Sequence, residues 1–377
     1  MSQIIQRFSV SYEFPVSFTR STFAVENPVL CEILQRAGER EHKVFPVIDA
    51  DVLKKHPHLI EDLTEYARCH SDTINLILPP LIVRSGEICK NDPQEVEQFY
   101  RITQDFKIDR HSFALVIGGG SVIDAMGYAA ATAHRGIRLI RMPTTVLGQN
   151  DAGIGVKNAV NYLGRKNYLG TFVPPYAVIN DFDFLQTLPK RDQRAGIAEA
   201  VKVSLIKDAE FFNWLFDNRH RLAEFEEQAV AYMIRRCAEL HLHHIATSGD
   251  PFEYGSARPL DFGHWSAHRL EELSHHELRH GEAVAIGIAL DSLYSAKMGF
   301  ISNDLLEKIF ATLRDLGFVL THPSLAALDI HKALQDFREH LGGELCITLL
   351  TGEGQAAQFN HIDLDVMQDC VKTLCAN

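Results

Sequence analysis

Five short apolar runs, each bounded by Gly, Pro or Asp, recur through the first half of the sequence, at residues 43–49, 75–79, 113–117, 137–142 and 177–180. Runs that are apolar throughout, rather than alternating, suit strands covered on both faces, as in a parallel sheet. Helical or polar stretches separate them, so the order predicts an α/β unit. Near residue 185 the pattern changes. Segments 194–207, 226–244, 280–298 and 303–316 carry helical periodicity, and only 345–350 reads as a strand. The expected fold class is α/β, with an α/β domain over residues 1–185, a mainly α-helical domain over 186–377, and a cleft between them. A length of 377 residues exceeds what one hydrophobic core usually serves, which agrees with two domains. No internal repeat or low-complexity tract interrupts this order.

Composition narrows the function. Hydrophobic residues at 46% and charged residues at 23% are those of a globular chain. Asp and Glu number 49 against 37 Lys and Arg, a net charge of −12. Such a field excludes nucleic acid and anionic membranes as partners of the whole surface, so any phosphate must find a local basic pocket. No apolar run approaches the roughly 18 residues of a membrane span, and residues 1–20 lack the layout of a signal peptide. The seven cysteines are scattered and odd in number, with no CxxC spacing, which predicts reduced thiols and a cytoplasmic location. Of 19 histidines, eight fall between His241 and His280, a density that directs a search for metal ligands there.

Three clusters carry chemistry. Gly118-Gly119-Gly120-Ser121 follows an expected strand, where glycines let backbone amides approach a pyrophosphate at a helix N-terminus; a tight strand-to-helix turn uses the same residues. Thr144 and Thr145 end another expected strand, and Asp49 ends an earlier one, placed either for a ribose hydroxyl or as a turn cap. Next comes a Gly-rich basic stretch, Asp151 to Lys157, followed by Asn161, Lys166 and Asn167, whose donors suit a phosphate or a polyol, although single surface lysines are commonly just solvated. The third cluster is in the helical half. Glu199 and Lys202 sit three apart on one helical face, His264 and His268 sit four apart, and His280 opens an apolar helical run. Glu199, His264 and His280 have the residue types of an open Glu-His-His zinc site, at a spacing too wide to decide the matter alone.

In order along the chain, the motifs GEICK (86–90), GGGSVIDA (118–125), RGI (135–137), PTT (143–145), DAGIGVKNAVN (151–161), KN (166–167), FLQTLP (184–189), AEAVK (198–202), LDFGHWSAH (260–268) and HGEAVAIG (280–287) resemble the sugar phosphate cyclase superfamily, of which 3-dehydroquinate synthase is a member. The resemblance implies a Rossmann-like dinucleotide-binding domain followed by a helical metal- and substrate-binding domain, tightly held NAD, a divalent metal (zinc or cobalt) and a homodimer. It implies metal ligands at Glu199, His264 and His280. It implies cofactor contacts at Asp49, Glu87, Lys90, Gly119, Gly120, Asp124, Thr144, Thr145, Phe184, Thr187 and Leu188, and it implies substrate chemistry at Arg135, Asp151, Lys157, Lys166, Asn167, Lys202 and His268. Asp192 and Ala195 depart from the synthase on the cofactor side, where it has Glu and Asn.

The implied reaction closes a seven-carbon sugar phosphate into a carbocycle, with phosphate elimination and no net redox change. Several positions differ from 3-dehydroquinate synthase in the direction of 2-epi-5-epi-valiolone synthases: Asp261 in place of Asn, a displaced Arg258, His340 within Arg338-Glu339-His340 in place of a lysine pair, and Gly155-Val156-Lys157 in place of Gly-Gly-Lys. An acid at 261 repels a substrate carboxylate and accepts hydrogen bonds from a polyol, which favours sedoheptulose 7-phosphate over the keto acid phosphate of the synthase. His268 points the other way, since the valiolone-type enzymes have Pro there. A metal-dependent polyol dehydrogenase shares the two-domain plan, but its substrates have no use for the lysines at 157, 166 and 202. A non-catalytic scaffold is the remaining alternative, and the intact ligand set argues against it.

Overall fold

The computed structural model describes residues 3–255, 259–275 and 277–376, and places Arg258 outside them. The chain forms two compact units: residues up to Pro143 together with Val156–Asp181, and Thr144–Gly155 together with Phe182 onward. The single break expected at 185 is thus met by a boundary at Asp181, and the short segment Thr144–Gly155 belongs with the second unit.

The first unit holds strands β1 (Val16–Thr19), β2 (His42–Asp49), β3 (Ile74–Leu76), β4 (Leu81–Val83), β5 (Phe113–Gly118), β6 (Arg138–Pro143), β7 (Lys157–Tyr162), β8 (Arg165–Phe172) and β9 (Ala177–Asp181). Its helices are α1 (Val29–Gln35), α2 (Ala50–Lys55), α3 (Leu59–Cys69), α4 (Ile88–Asn91), α5 (Gln94–Asp105) and α6 (Gly120–Thr132). Among the described residues a seven-stranded sheet runs β1-β9-β6-β5-β2-β3, with β4 also on β2, and every pairing is parallel. The two central strands β2 and β5 are buried almost end to end, as their unbroken apolar character requires. Phe45, Val47, Ala114 and Val116 pack with Phe99 of α5 and with Val122, Met126 and Ala129 of α6 in one core.

The strand expected at 75–79 is shorter, ending at Leu76, and β4 follows it. Neither β1 nor β4 was expected. Both are short strands on a sheet edge, too brief to show a pattern. The basic stretch beyond Lys157 is an antiparallel hairpin, β7–β8. Fully buried Arg141 of β6 anchors it, donating to the Lys157 carbonyl at 3.0 Å and to Asn158 Oδ1 at 2.7 Å.

The second unit comprises α7 (Lys190–Lys207), α8 (Ala209–Ala223), α9 (Glu227–Thr247), α10 (His264–Leu273), α11 (His280–Lys297), α12 (Asn303–Asp315), α13 (Pro323–Ala326), α14 (Ile330–His340), β10 (Ile347–Gly352), β11 (Gln355–Phe359) and α15 (Leu364–Cys375). The strand expected at 345–350 is β10, and it pairs with β11, which the polar, exposed register Gln355–Phe359 concealed. Helices α7 and α11 are buried on every side over most of their length, and α7 carries Glu199 and Lys202 inside that buried stretch. Among the described residues no helix is long and apolar enough to cross a membrane, and all seven cysteines are free.

Candidate metal centre and anion-binding turn

In the second unit three helices meet at glycines. A Cβ on Gly281 of α11 would lie 2.0 Å from the Ala195 carbonyl of α7, and one on Gly287 would lie 2.0 Å from the Gly263 carbonyl at the head of α10. Gly263 itself has φ +77°, a conformation that glycine adopts without cost. These approaches bring together side chains far apart in sequence. Glu199 lies in the middle of α7, and His264 and His280 are the first residues of α10 and α11. The start of α11 is secured by Glu282, which accepts from the Arg279 amide at 3.0 Å and from both Nε and Nη2 of Arg191 at 2.7 and 2.6 Å.

Glu199 Oε1 stands 3.6 Å from His264 Nε2 and 3.2 Å from His280 Nε2. Two ligands about 2.0–2.1 Å from one tetrahedral ion lie about 3.3 Å apart, so the separations match a shared cation. The histidine tautomers agree: His264 Nδ1 faces the Phe262 carbonyl at 3.1 Å and His280 Nδ1 faces Glu271 Oε2 at 3.1 Å, which leaves both Nε2 atoms for a metal. Both Glu199 oxygens are buried with no hydrogen bond of good geometry, although Lys202 Nζ is in ion-pair contact with Oε2. Burial pushes the Glu199 pKa up, yet Lys202 and the two imidazoles pull it well below the ordinary value, so it is a carboxylate. For Lys202, burial works against the charge, and Glu199 and Asp151 override it and hold the amine protonated. A buried carboxylate with unmet acceptors between two imidazole lone pairs fits a divalent cation.

Around this trio the structure gathers other expected residues. Gly196 admits the Leu147 amide and the Val146 side chain, and Asn150 Nδ2 donates to the Gly196 carbonyl at 2.7 Å, which docks Thr144–Gly155 on α7. Asp151 thereby comes within electrostatic range of Lys202, and its Oδ1 lies 2.9 Å from His241 Nδ1 of α9. The negative charge of Asp261 reaches both Lys202 and His268. His268 forms a triangle of rings with His264 and His280, 5.4 Å from the first and 6.1 Å from the second. Desolvation by the groups crowded around its ring, with help from those two imidazoles, lowers its pKa although the side chain keeps an exposed edge, so the ring is neutral. Thr145 Oγ1 accepts from the Gly148 amide at 3.0 Å, and buried Phe184 accepts at its carbonyl from Thr187 Oγ1 at 3.3 Å, with Leu188 next in sequence. Asp192 pairs with Arg279 at 2.8 Å.

In the first unit, β5 ends at Gly118 and α6 starts at Gly120, so the glycine run is the turn onto a helix N-terminus. A Cβ on Gly118 would lie 2.7 Å from Val122 Cγ1 and 3.1 Å from Asp49 Cβ, which makes close packing a second reason for glycine there. Asp49 does cap a helix, accepting from the Asp51 amide at 2.9 Å, and it also bonds Ser85. One polar network joins Glu87, Lys90, Asp124, Asn161 and Asn167. Lys90 Nζ contacts Asp124 Oδ2 at 2.8 Å and Asn167 Oδ1, while Glu87 accepts from Asn161 Nδ2 at 2.7 Å and Ser121 Oγ at 3.0 Å. Burial raises the Glu87 pKa, but Asn161, Lys90 and Lys166 outweigh it and keep the carboxyl ionised. Arg135 is not brought here. It is exposed, follows the far end of α6, and precedes the start of β6, at the opposite end of the parallel strands from the turn. Nothing is described of the His340 side chain.

Three residues escaped the sequence reading: His241, Glu271 and Asp291. The last leaves a signal, a lone carboxylate inside the apolar stretch of α11. Fully buried, it accepts from Trp265 Nε1 at 2.9 Å and the Gly263 amide at 3.0 Å, and so holds the head of α10. Burial raises its pKa to about 7, against the pull of those two donors. A carboxyl whose folded pKa lies above its unfolded value of about 3.9 contributes stability that is full below about pH 4 and lost as pH climbs through about 7. The unfolding free energy of the parent, less that of Asp291→Asn, is therefore expected to fall between pH 4 and 7, by about 4 kcal/mol at most. Denaturant titrations at a series of pH values test this, and a difference that stays flat contradicts it.

Comparison with known proteins fits this geometry. The 3-dehydroquinate synthase N-terminal family matches residues 80–195, and the 3-dehydroquinate synthase C-terminal family matches 196–339. The chain is 35% identical over 317 residues to 3-dehydroquinate synthase of Shewanella sp. (strain MR-4), covering 84% of this chain and 86% of that one. Among solved structures, 2-epi-5-epi-valiolone synthase of Streptomyces hygroscopicus subsp. jinggangensis 5008, with NAD+ and Zn2+ bound, superposes with a TM-score of 0.85 at 30% identity over 99% of both chains. A 2-deoxy-scyllo-inosose synthase complexed with carbaglucose-6-phosphate, NAD+ and Co2+ shares the fold, with a TM-score of 0.77 at 21% identity over 96% of both chains.

Proposed function

Because the chain belongs to the 3-dehydroquinate synthase family of sugar phosphate cyclases, we propose that it converts sedoheptulose 7-phosphate to a cyclitol with release of phosphate. The observation that carries the choice of substrate is Asp261, whose negative charge bears on Lys202 and His268 in the second unit. A substrate carboxylate there meets repulsion, while the hydroxymethyl end of a neutral ketose donates hydrogen bonds to the acid.

The first unit is the proposed NAD-binding domain. The Gly118–Gly120 turn takes the pyrophosphate, with Asp49, Glu87, Lys90 and Asp124 around the cofactor. Thr144, Thr145, Phe184, Thr187 and Leu188 complete the proposed cofactor set. Glu199, His264 and His280 hold a divalent metal, zinc or cobalt. When bound, NAD supplies a transient oxidation that is reversed before product leaves, and the metal supplies Lewis acidity at a ketone oxygen. The side chains supply the rest. Lys202, held protonated, stabilises negative charge on a substrate oxygen, and His268, held neutral, takes a proton and returns it. Asp151 fixes the charge of Lys202 from its other side. Lys157, Lys166, Asn167 and Arg258 are the proposed partners of phosphate and sugar hydroxyls, His340 is a further proposed contact, and a homodimer is the proposed assembly.

A second reading, 3-dehydroquinate synthase itself, is favoured by His268 and by the identity to curated synthases. The purified protein with NAD and metal is to be given each of the two sugar phosphates in turn, with phosphate release scored and the product identified by NMR. Sedoheptulose 7-phosphate is expected to release phosphate and yield a cyclitol. Turnover of the keto acid phosphate alone establishes the second reading, and steady NAD reduction with glycerol and no phosphate release establishes a polyol dehydrogenase.

A further inference from the structure

We propose that Glu271 is a positioning residue for His280, fixing which imidazole nitrogen is offered to the metal. His264, His268 and Glu271 stand at i, i+4 and i+7 on α10, hence along one helical face. That face meets the first turn of α11, where His280 Nδ1 lies 3.1 Å from Glu271 Oε2 and its Nε2 lies 3.2 Å from Glu199 Oε1. Glu271 is 6% exposed, and such a buried carboxylate persists where it has a donor. A carboxylate at Nδ1 holds the proton on that nitrogen, aims the Nε2 lone pair at the ion and makes the ring a stronger donor. The other histidine ligand has a different support. His264 Nδ1 faces the neutral carbonyl of Phe262 at 3.1 Å. The two ligands are therefore unequal, and removing the charge at 271 weakens one of them selectively.

Glu271, His268 and His280 also place ligand atoms within 4.8 Å of one another. An ion held by that trio would have to take His280 Nδ1, the nitrogen turned toward Glu271, while Nε2 serves the trio that includes Glu199. His268 is solvent-exposed, whereas Glu199 and His264 are buried. The geometry points to Glu271 acting through His280 rather than as a ligand itself.

The inference rests on the metal site proposed above. Metal-stripped parent, Glu271→Gln and Glu271→Ala are to be titrated with Co2+ against a chelating dye, with the visible spectrum of the bound ion and the melting temperature of each metal-stripped protein recorded. Glu271→Gln keeps volume and an acceptor and removes only the charge, so it decides the matter if Glu271→Ala does not fold. Affinity is expected to fall about 10–100-fold in Glu271→Gln, with the band shape of bound Co2+ unchanged. Affinity within twofold of the parent overturns the proposal, including where melting temperature drops, because Glu271 is then structural only. A changed band shape overturns it too, by making Glu271 a ligand. A parent chain that takes up neither Co2+ nor Zn2+ defeats the metal site and this inference together.

Discussion

Glu199→Gln, His264→Ala and His280→Ala are each expected to abolish turnover and to lower metal content in step. The trio supplies every proposed protein ligand, so each substitution removes one of three donors to the ion. The loss should therefore exceed the roughly 10–100-fold that follows from removing an outer partner of a ligand. Metal analysis beside initial rates of phosphate release is the measurement. Full occupancy and near-normal rate in any two of the three would falsify the assignment. Glu199→Gln carries a second consequence. It removes a buried counter-charge from Lys202, and breaking a buried pair costs about 3–5 kcal/mol where nothing compensates. Asp151 and Asp261 also act on Lys202, so the observed cost should fall short of that range. Thermal unfolding of the metal-stripped variant separates this effect from loss of the ion.

Gly287→Ala is expected to destabilise the protein and weaken metal binding although it touches no ligand. Two effects compete. Alanine in a helix interior gains about 1 kcal/mol over glycine. Against this, the new Cβ would stand 2.0 Å from the Gly263 carbonyl oxygen and 2.9 Å from its carbon, backbone atoms that yield only if α10 and α11 separate. Overpacking of that kind costs about 1–3 kcal/mol, and more where backbone must move. The net should be a loss of about 2 kcal/mol or more, read from the denaturant midpoint at unchanged slope. Because Gly263 immediately precedes His264, separation of the helices also moves that ligand away from Glu199. A variant as stable as the parent would show that helix propensity wins and that the crossing is looser than the structure has it.

The roles of individual residues divide along similar lines. For Asp49 the cap reading is observed: it ends β2 and caps α2, while lying beside the glycine turn. Lys166 and Asn167, expected near the substrate, belong to the same polar network as Glu87 and Lys90 because the β7–β8 hairpin folds them there. Arg135, expected in catalysis, sits at the other end of the parallel strands from the glycine turn, because the crossover through α6 carries the chain back to the start of β6.

By itself the sequence determined the local order of this protein. Unbroken apolar runs specified β2, β5, β6 and β9 as buried parallel strands, and apolar periodicity specified α7, α9, α11 and α12, because burial of side chains on one face or on all faces is written at short range. It also supplied the residue types of the Glu-His-His set. What it left open was decided by tertiary structure. Strands β1 and β4, at four and three residues, are too short to show a period, and the half-buried β11 has little apolar alternation. Whether Glu199, His264 and His280 meet depends on how closely α7, α10 and α11 approach, and that depends on Gly263, Gly281 and Gly287 meeting backbone atoms across the helix contacts. The partners Glu271, Asp291 and His241 follow from the same crossings. A hydrogen bond between residues on different helices has no period along the chain, so only the packed structure states it.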